Sequence, residues 1–317
     1  MGGRGAFLRI RGSGILEISI ASYRDPQLLP TVRSAWNNAK HQDKIRFSIV
    51  SQGEDSEHPD LSFIPENQIR YQKFHWSESK GVCWAREIAM KDLNSTYFLQ
   101  VDSHSRFVPD WDEKIIKAYE KAFKYHGSMI FTHHPEGYTV NDDGEDEYSD
   151  HGSWHSKVVP VWSDEDKMVG PSFERASDNP YGDEVYYLAA GSLFGYSDYF
   201  SMISYDPLLY FTGEEPSLAL RFYTNGIKIV NTPIKFMYHE YKSSWKEGER
   251  KRPTHWEDDP QWAELNKAAF KRLSLILSGD MSLGIFGIGS EDLYNKWIQE
   301  TGINLREKKD IIASWGE

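Results

Sequence analysis

A carboxylate and an imidazole, two residues apart, close an apolar run. Residues 97–101 read YFLQV, and Asp102, Ser103 and His104 follow. On the extended backbone just past a strand, positions i and i+2 point the same way. Asp102 and His104 therefore reach one object. A carboxylate oxygen with an imidazole nitrogen suits a divalent cation of intermediate hardness, such as manganese. Two protein ligands are too few to hold it, so the vacancies fall to a third side chain, water or a substrate phosphate. His133 and His134 end the next apolar run, and His239 follows a later one. The plain alternative is a capping aspartate beside a surface histidine.

The elements that must position this pair can be read from periodicity. Residues 15–22 (ILEISIAS) form a first strand. A loop and a helix from about Pro30 follow, with Leu29, Val32 and Trp36 at helical spacing. Strands are expected over 45–52 and 68–75, and a helix within 79–93 with Gly81 near its start. A further strand covers 95–102, a helix 110–127 stops at Gly127, and a strand covers 128–135. Strand and helix alternate, which predicts an α/β fold with a mostly parallel central sheet and helices on both faces. Sites in such sheets lie outside the carboxyl ends of the strands, where Asp102 and His104 fall. No GxGxxG follows the first strand and no GxxxxGK[ST] occurs, so the dinucleotide and P-loop readings lack their signatures.

Over 136–180 the pattern weakens. NDDGEDEYSD, residues 141–150, carries six carboxylates in ten residues and reads as a solvated loop. A calcium site is the alternative there, without the full EF-hand spacing. Residues 184–200 resume strand-like order around two glycines. Residues 213–233 suggest a helix, a turn at Asn225-Gly226 and a strand. A helix is expected over 260–277, and the remainder, with Gly284, Gly287 and Gly289, reads as an appended piece.

Composition narrows the class. Hydrophobic residues make up 39% and charged residues 26%, enough for a globular core. Aromatics reach 14%, and such faces often line sugar or base sites. The formal charge of −12 disfavours a nucleic-acid partner. Cys83 is the single cysteine, which excludes an intramolecular disulfide and a thiolate zinc cluster. An intracellular, cytoplasmic protein is the simpler expectation. The Gly-rich start does not read as a signal peptide, and no run reaches transmembrane length. A peripheral contact with the inner face of a membrane, through the C-terminal third, stays open.

VDSHSRF resembles the DxH form of the DxD motif in GT-A glycosyltransferases, including the polypeptide N-acetylgalactosaminyltransferases. It is more similar to the hydroxyproline N-acetylglucosaminyltransferases that modify Skp1. SIASYRDPQLLPTVRSA resembles that family's opening strand and helix, and SESKGVCWAREIAM its Gly-x-x-x-Ala-Arg helix. YDPLLYFTGEEPSLALRFYTNGIKIVNTP, ending in YHEY, resembles its acceptor-side block. SLGIFGIGSEDLYNKWIQETGINL resembles its C-terminal element. The segments run in order from residue 15 to 306.

The resemblance implies a metal-dependent retaining transferase that moves a sugar, with N-acetylglucosamine foremost, from a UDP-sugar. The acceptor would be a hydroxyl on a glycan, a lipid-linked saccharide or a protein. It implies Mn2+ or Mg2+ on Asp102, His104 and His239. Ala21, Tyr23, Arg24 and Asp25 would hold uridine or its ribose, and Arg86 and Ser103 would lie by the diphosphate or sugar. Ala190 and Gly191 would leave room beneath the sugar, and Glu214 and Glu215 would contact its hydroxyls. It implies a catalytic domain over 15–240, with a nucleotide and metal half (15–135) and a sugar and acceptor half (136–240). Residues 241–317 would be an extension packed on it. Same-face attack is favoured over a covalent carboxylate, although Glu214 or Glu215 as nucleophile stays open.

Each assignment has a structural alternative. Arg86 could pair along its own helix. Tyr23, Arg24 and Asp25 could shape a turn, and Glu214 and Glu215 could open a helix with Pro216 in its first turn. His239 could be a hydrogen-bonded core histidine, and Gly191 could only relieve packing. Trp76 and Trp154 could stack on a sugar or sit in the core, and Cys83 reads as buried filler. Two other functions fit the residues. A metal-dependent phosphoester hydrolase would use the same ligands, and a non-catalytic carbohydrate-binding protein would account for the aromatics.

Overall fold

The computed structural model describes residues 14–149, 156–241 and 252–315. The first half follows the predicted order: β1 (Leu16–Tyr23), α1 (Leu28–Asn38), β2 (Ile45–Gln52), β3 (Ile69–Phe74), α2 (Val82–Met90) and β4 (Tyr97–Asp102). Then come β5 (Ser105–Phe107), α3 (Trp111–His126) and β6 (Met129–Thr132). Alternation assigns the two faces of the sheet. Ile18, Ile20, Phe47 and Ile49 join Leu28, Val32 and Ala35 of α1 in the main core. On the opposite face, Ala85 and Ala89 of α2 close on Val50. α3 buries Trp111, Ile115, Tyr119 and Ala122 along one stripe and stops at Gly127, whose φ is +79°. Its first turn carries Asp112 and Glu113 and its last turn Lys124 and His126, as the helix dipole favours.

The second half contributes β7 (Glu136–Val140), β8 (Asp146–Tyr148), β9 (Ser156–Ser163), β10 (Met168–Arg175), β11 (Glu184–Val185) and β12 (Ser192–Tyr196). α4 (Ser197–Met202), α5 (Glu214–Thr224), β13 (Lys228–Asn231) and β14 (Met237–His239) follow. Last come α6 (His255–Asp258), α7 (Trp262–Ser278), α8 (Glu291–Thr301) and α9 (Lys309–Ala313), with α5 packed on both α7 and α8. Among the described residues no single helix is long and apolar enough to cross a membrane.

The central sheet has eight strands in the order β11-β13-β6-β12-β4-β1-β2-β3. β4, β1, β2 and β3 run parallel, as expected, and so do β6 and β13. The sheet is nonetheless mixed. β12 lies antiparallel to both β4 and β6, and β11 is antiparallel at the edge.

The weak stretch after residue 136 is not a loop. β7 pairs with β8, and β9 with β10, as antiparallel hairpins. The reading of 141–150 as a wholly solvated face fails at Asp146, which takes Arg106 Nε at 2.7 Å. The ion pair recruits one carboxylate of the acidic run into a small sheet of order β5-β14-β7-β8. Residue 150 of that run and Trp154 lie outside the described residues, as do residues 1–13.

α2 is anchored at its start by a close backbone approach. Gly81 has φ +94°, and a Cβ there would stand 2.0 Å from the Tyr210 carbonyl oxygen. The same oxygen accepts the Val82 N–H at 2.9 Å. Gly81→Ala should therefore cost about 2 kcal/mol or more. It should lower the thermal midpoint, and an unchanged midpoint would contradict this packing.

Candidate active site

β4 ends on Asp102 and β5 begins at Ser105, so Ser103 and His104 form the turn between the main sheet and the small one. β14 pairs antiparallel to β5 with His239 opposite Ser105. The Glu240 N–H donates to the His104 carbonyl at 3.0 Å. This register carries His239, more than a hundred residues downstream, to the Asp102–His104 turn. His239 Nε2 lies 3.0 Å from Asp102 Oδ2, and His104 Nε2 lies 3.9 Å from the same oxygen. One ligand atom from each residue falls within 4.8 Å of the others. The donor set of one carboxylate and two imidazoles fits a divalent cation of intermediate hardness.

Gly191 keeps the space that this cluster needs. It stands across from Asp102, and its carbonyl accepts the Asp102 N–H at 3.3 Å. A Cβ at Gly191 would come within 2.9 Å of Asp102 Oδ2 and 3.8 Å of His239 Nε2.

Arg86 fixes the other side of Asp102. The guanidinium is buried, donates to Asp102 Oδ1 at 2.6 Å and also pairs with Glu214 Oε1. Glu214 and Glu215 open α5. Glu215 Oε1 accepts the Ala190 N–H at 2.9 Å, and Gln100 Nε2 donates to the Ala190 carbonyl at 2.6 Å, so the loop before β12 is held from two sides. Burial pushes the Glu215 carboxyl up to about 7, partly offset by that N–H. Burial also raises Glu214, against the pull of Arg86. Asp102 moves the other way: burial would raise it, but His239, Arg86 and His104 outweigh that and hold it well below the usual range. Burial lowers His239, which favours the neutral, ligating imidazole despite the Asp102 hydrogen bond.

These groups line one cavity of about 640 Å3 at the carboxyl ends of β1, β2 and β4. Ala21, Tyr23, Asp25, Arg86, Ser103, Ala190, Gly191, Glu214 and Glu215 line it together with the three candidate ligands. Arg24 does not. Its backbone has φ +46°, and its side chain turns outward to Glu57 at 2.9 Å and Asp258 at 3.1 Å. His134 is engaged elsewhere, with Nδ1 3.2 Å from Ser156 Oγ and its ring against Phe173, and His133 stacks on Phe236. Trp76 donates to Glu54 outside the cavity, and Cys83 is buried in α2.

Sequence reasoning missed several wall residues. Arg252 enters from the stretch just before α6 and donates to Glu240 at 2.7 Å, with Nε 3.9 Å from Asp25. His255 and Trp256 come from the short α6, and Met168 to Pro171 from β10. Little in the sequence marked them, since each lies in a stretch without clear periodicity.

A family model described as Glycosyltransferase (GlcNAc) matches residues 60–300. The chain belongs to this glycosyltransferase family. Its α/β fold, with a mixed central sheet flanked by helices, is GT-A-like. No curated protein matches the chain significantly. Among solved structures, S. aureus TarS 1-349 is 12% identical, with a TM-score of 0.46, over 94% of this chain and 69% of that one. TarS 1-349 in complex with UDP-GlcNAc is also 12% identical, with a TM-score of 0.47, over 95% and 71% of the two chains.

Two outcomes follow from the geometry. Gly191→Ala should displace the Asp102 carboxylate and weaken divalent-ion affinity, read by calorimetry, with an unchanged affinity counting against the metal cradle. Glu215 is a carboxyl whose folded value lies above its unfolded one. Its contribution to stability is full below about pH 4.5 and is lost as pH rises through about 7. The isosteric Glu215→Gln lacks this titration. Wild type should therefore lose stability relative to the variant across that window, in paired thermal melts.

Proposed function

We propose that the protein transfers N-acetylglucosamine from UDP-N-acetylglucosamine to a hydroxyl on a glycan or protein, with retention at the anomeric carbon. The observation that carries this reading is the convergence of Asp102, His104 and His239 on the wall of a large cavity in a chain of this glycosyltransferase family. The family, Glycosyltransferase (GlcNAc), supports the donor sugar, and the sequence segments that resemble the Skp1-modifying enzymes support a hydroxyl acceptor.

Manganese or magnesium on those three residues would neutralise the negative charge that grows on the diphosphate as the glycosyl bond breaks. The protein's own groups do the remaining work. Arg86 fixes Asp102 Oδ1 and leaves Oδ2 facing the two imidazoles. Ala190 and Gly191 would offer small surfaces for the donor sugar, and Glu214 and Glu215 would contact its hydroxyls. Both carboxyls already bind protein donors, Arg86 for one and the Ala190 N–H for the other. They suit positioning better than nucleophilic attack, which favours same-face displacement without a covalent intermediate.

Electrostatics couples donor to cation. Asp25, Asp102, Asp166, Glu214, Glu215 and Glu240 line the cavity, against Arg86 and Arg252. A diphosphate alone meets predominantly acidic walls. UDP should thus raise the melting temperature only when manganese is present. The stabilisation is about 2.7 kcal/mol when ligand stands at about 100 times its dissociation constant. Asp102→Asn and His104→Ala should abolish manganese-dependent UDP release from UDP-N-acetylglucosamine while circular dichroism stays native. Full release by both variants would sink the assignment.

A further inference from the structure

Asp25 follows β1 at its carboxyl end, and its side chain is only 2% exposed. Asp25 Oδ1 accepts the Gln27 N–H at 2.9 Å, which closes a local turn. Asp25 Oδ2 accepts Ser103 Oγ at 2.7 Å and meets His104 Nδ1 at 2.7 Å. An ionised carboxylate has no proton to give, so Nδ1 must carry the hydrogen of that contact. In the neutral ring the lone pair then sits on Nε2, the nitrogen that faces Asp102 Oδ2. From α1, Thr31 Oγ1 donates to the Ser103 carbonyl at 2.8 Å and lies 3.0 Å from that of Ser105. The turn that carries the ligands is therefore clasped from β1 and α1 together.

We infer that Asp25 is a positioning residue of the metal site, which holds His104 in the tautomer and orientation that present Nε2 to the ion. The inference rests on the metal reading of Asp102, His104 and His239. It gives Asp25 a different task from contact with uridine or ribose, for which three protein donors leave its carboxylate little capacity. Carboxylate partners of ligating histidines fix the ring and raise its basicity, and their loss weakens metal affinity by about 10- to 100-fold.

Asp25→Asn is the informative variant. The amide oxygen can still accept the Gln27 N–H, so the turn is kept while the charge is removed. Two measurements need neither donor nor turnover. Long-range 1H–15N correlation spectra at about pH 8, where an unperturbed imidazole is neutral, report the His104 tautomer in the metal-free protein. Calorimetric titration with manganese chloride reports the ion's affinity.

Wild type should show His104 protonated on Nδ1. Asp25→Asn should shift the population toward Nε2–H and weaken manganese binding about 10- to 100-fold. UDP affinity at saturating manganese should change less. A wild-type His104 protonated on Nε2 overturns the inference even if the variant fails to fold. So does a folded variant with unchanged manganese affinity and weaker UDP binding, which would return Asp25 to the donor. A wild-type protein that takes up no manganese would sink the metal reading itself, and the positioning role with it. The two failures are thus distinguishable.

Discussion

Arg86 is the group on which the site's geometry depends. It is a cation at 3% exposure, and its guanidinium joins the last residue of β4 to the first residue of α5. Burying it is tolerable only because carboxylates meet it, and removal of both would leave an uncompensated buried charge. The same contact divides the oxygens of Asp102. Oδ1 belongs to Arg86, and Oδ2 is left to the two imidazoles. Arg86 in turn depends on α2, and α2 depends on the Gly81 contact with the Tyr210 carbonyl. A backbone detail at a helix start is thereby linked to the aim of a metal-binding carboxylate.

Two sheets then bring the remaining parts together. The antiparallel insertion of β12 between β4 and β6 places Gly191 against Asp102, and the Glu215 contact holds Ala190 beside it. The small sheet supplies His239 through its pairing with β5. Neither step follows from the parallel β1–β4 core. The ligands sit at the seam between the sheets, and the buried Asp25 stitches that seam from β1.

The parallel half was legible because strand and helix alternate along it and its helices carry apolar stripes. Asp102 and His104 were legible for the same reason, since their spacing after an apolar run fixes their common direction. The mixed character of the sheet was not, because β12 is a short apolar strand whose direction no local pattern encodes. The hairpins after residue 136 were hidden by charge: the acidic run looked solvated until Arg106 drew Asp146 into the small sheet. His239 was one of three candidate histidines until the family likeness singled it out, since its arrival depends on a strand register far along the chain. Arg24 was misplaced for a local reason. Its left-handed backbone directs the side chain away from the cavity, toward Glu57 and Asp258. Asp25 was assigned to uridine or its ribose, and its contact with His104 was invisible, because only the folded chain sets the two together.

The cavity wall is polarised by the way each carboxyl is partnered. At one end, hydrogen bonds and charge from His104, Arg252 and Ser103 overcome the cost of burial and hold Asp25 at about 2. Asp102 is held low in the same manner. At the other end burial wins, and Glu215 reaches about 7 against the Ala190 N–H and the charge of Arg86. Negative charge is therefore fixed where the imidazoles and the ion belong. Near neutral pH, Glu215 is poised between donor and acceptor of hydrogen bonds. The two ends of the wall therefore differ in kind: fixed negative charge at Asp25 and Asp102, and at α5 a carboxyl near its titration point.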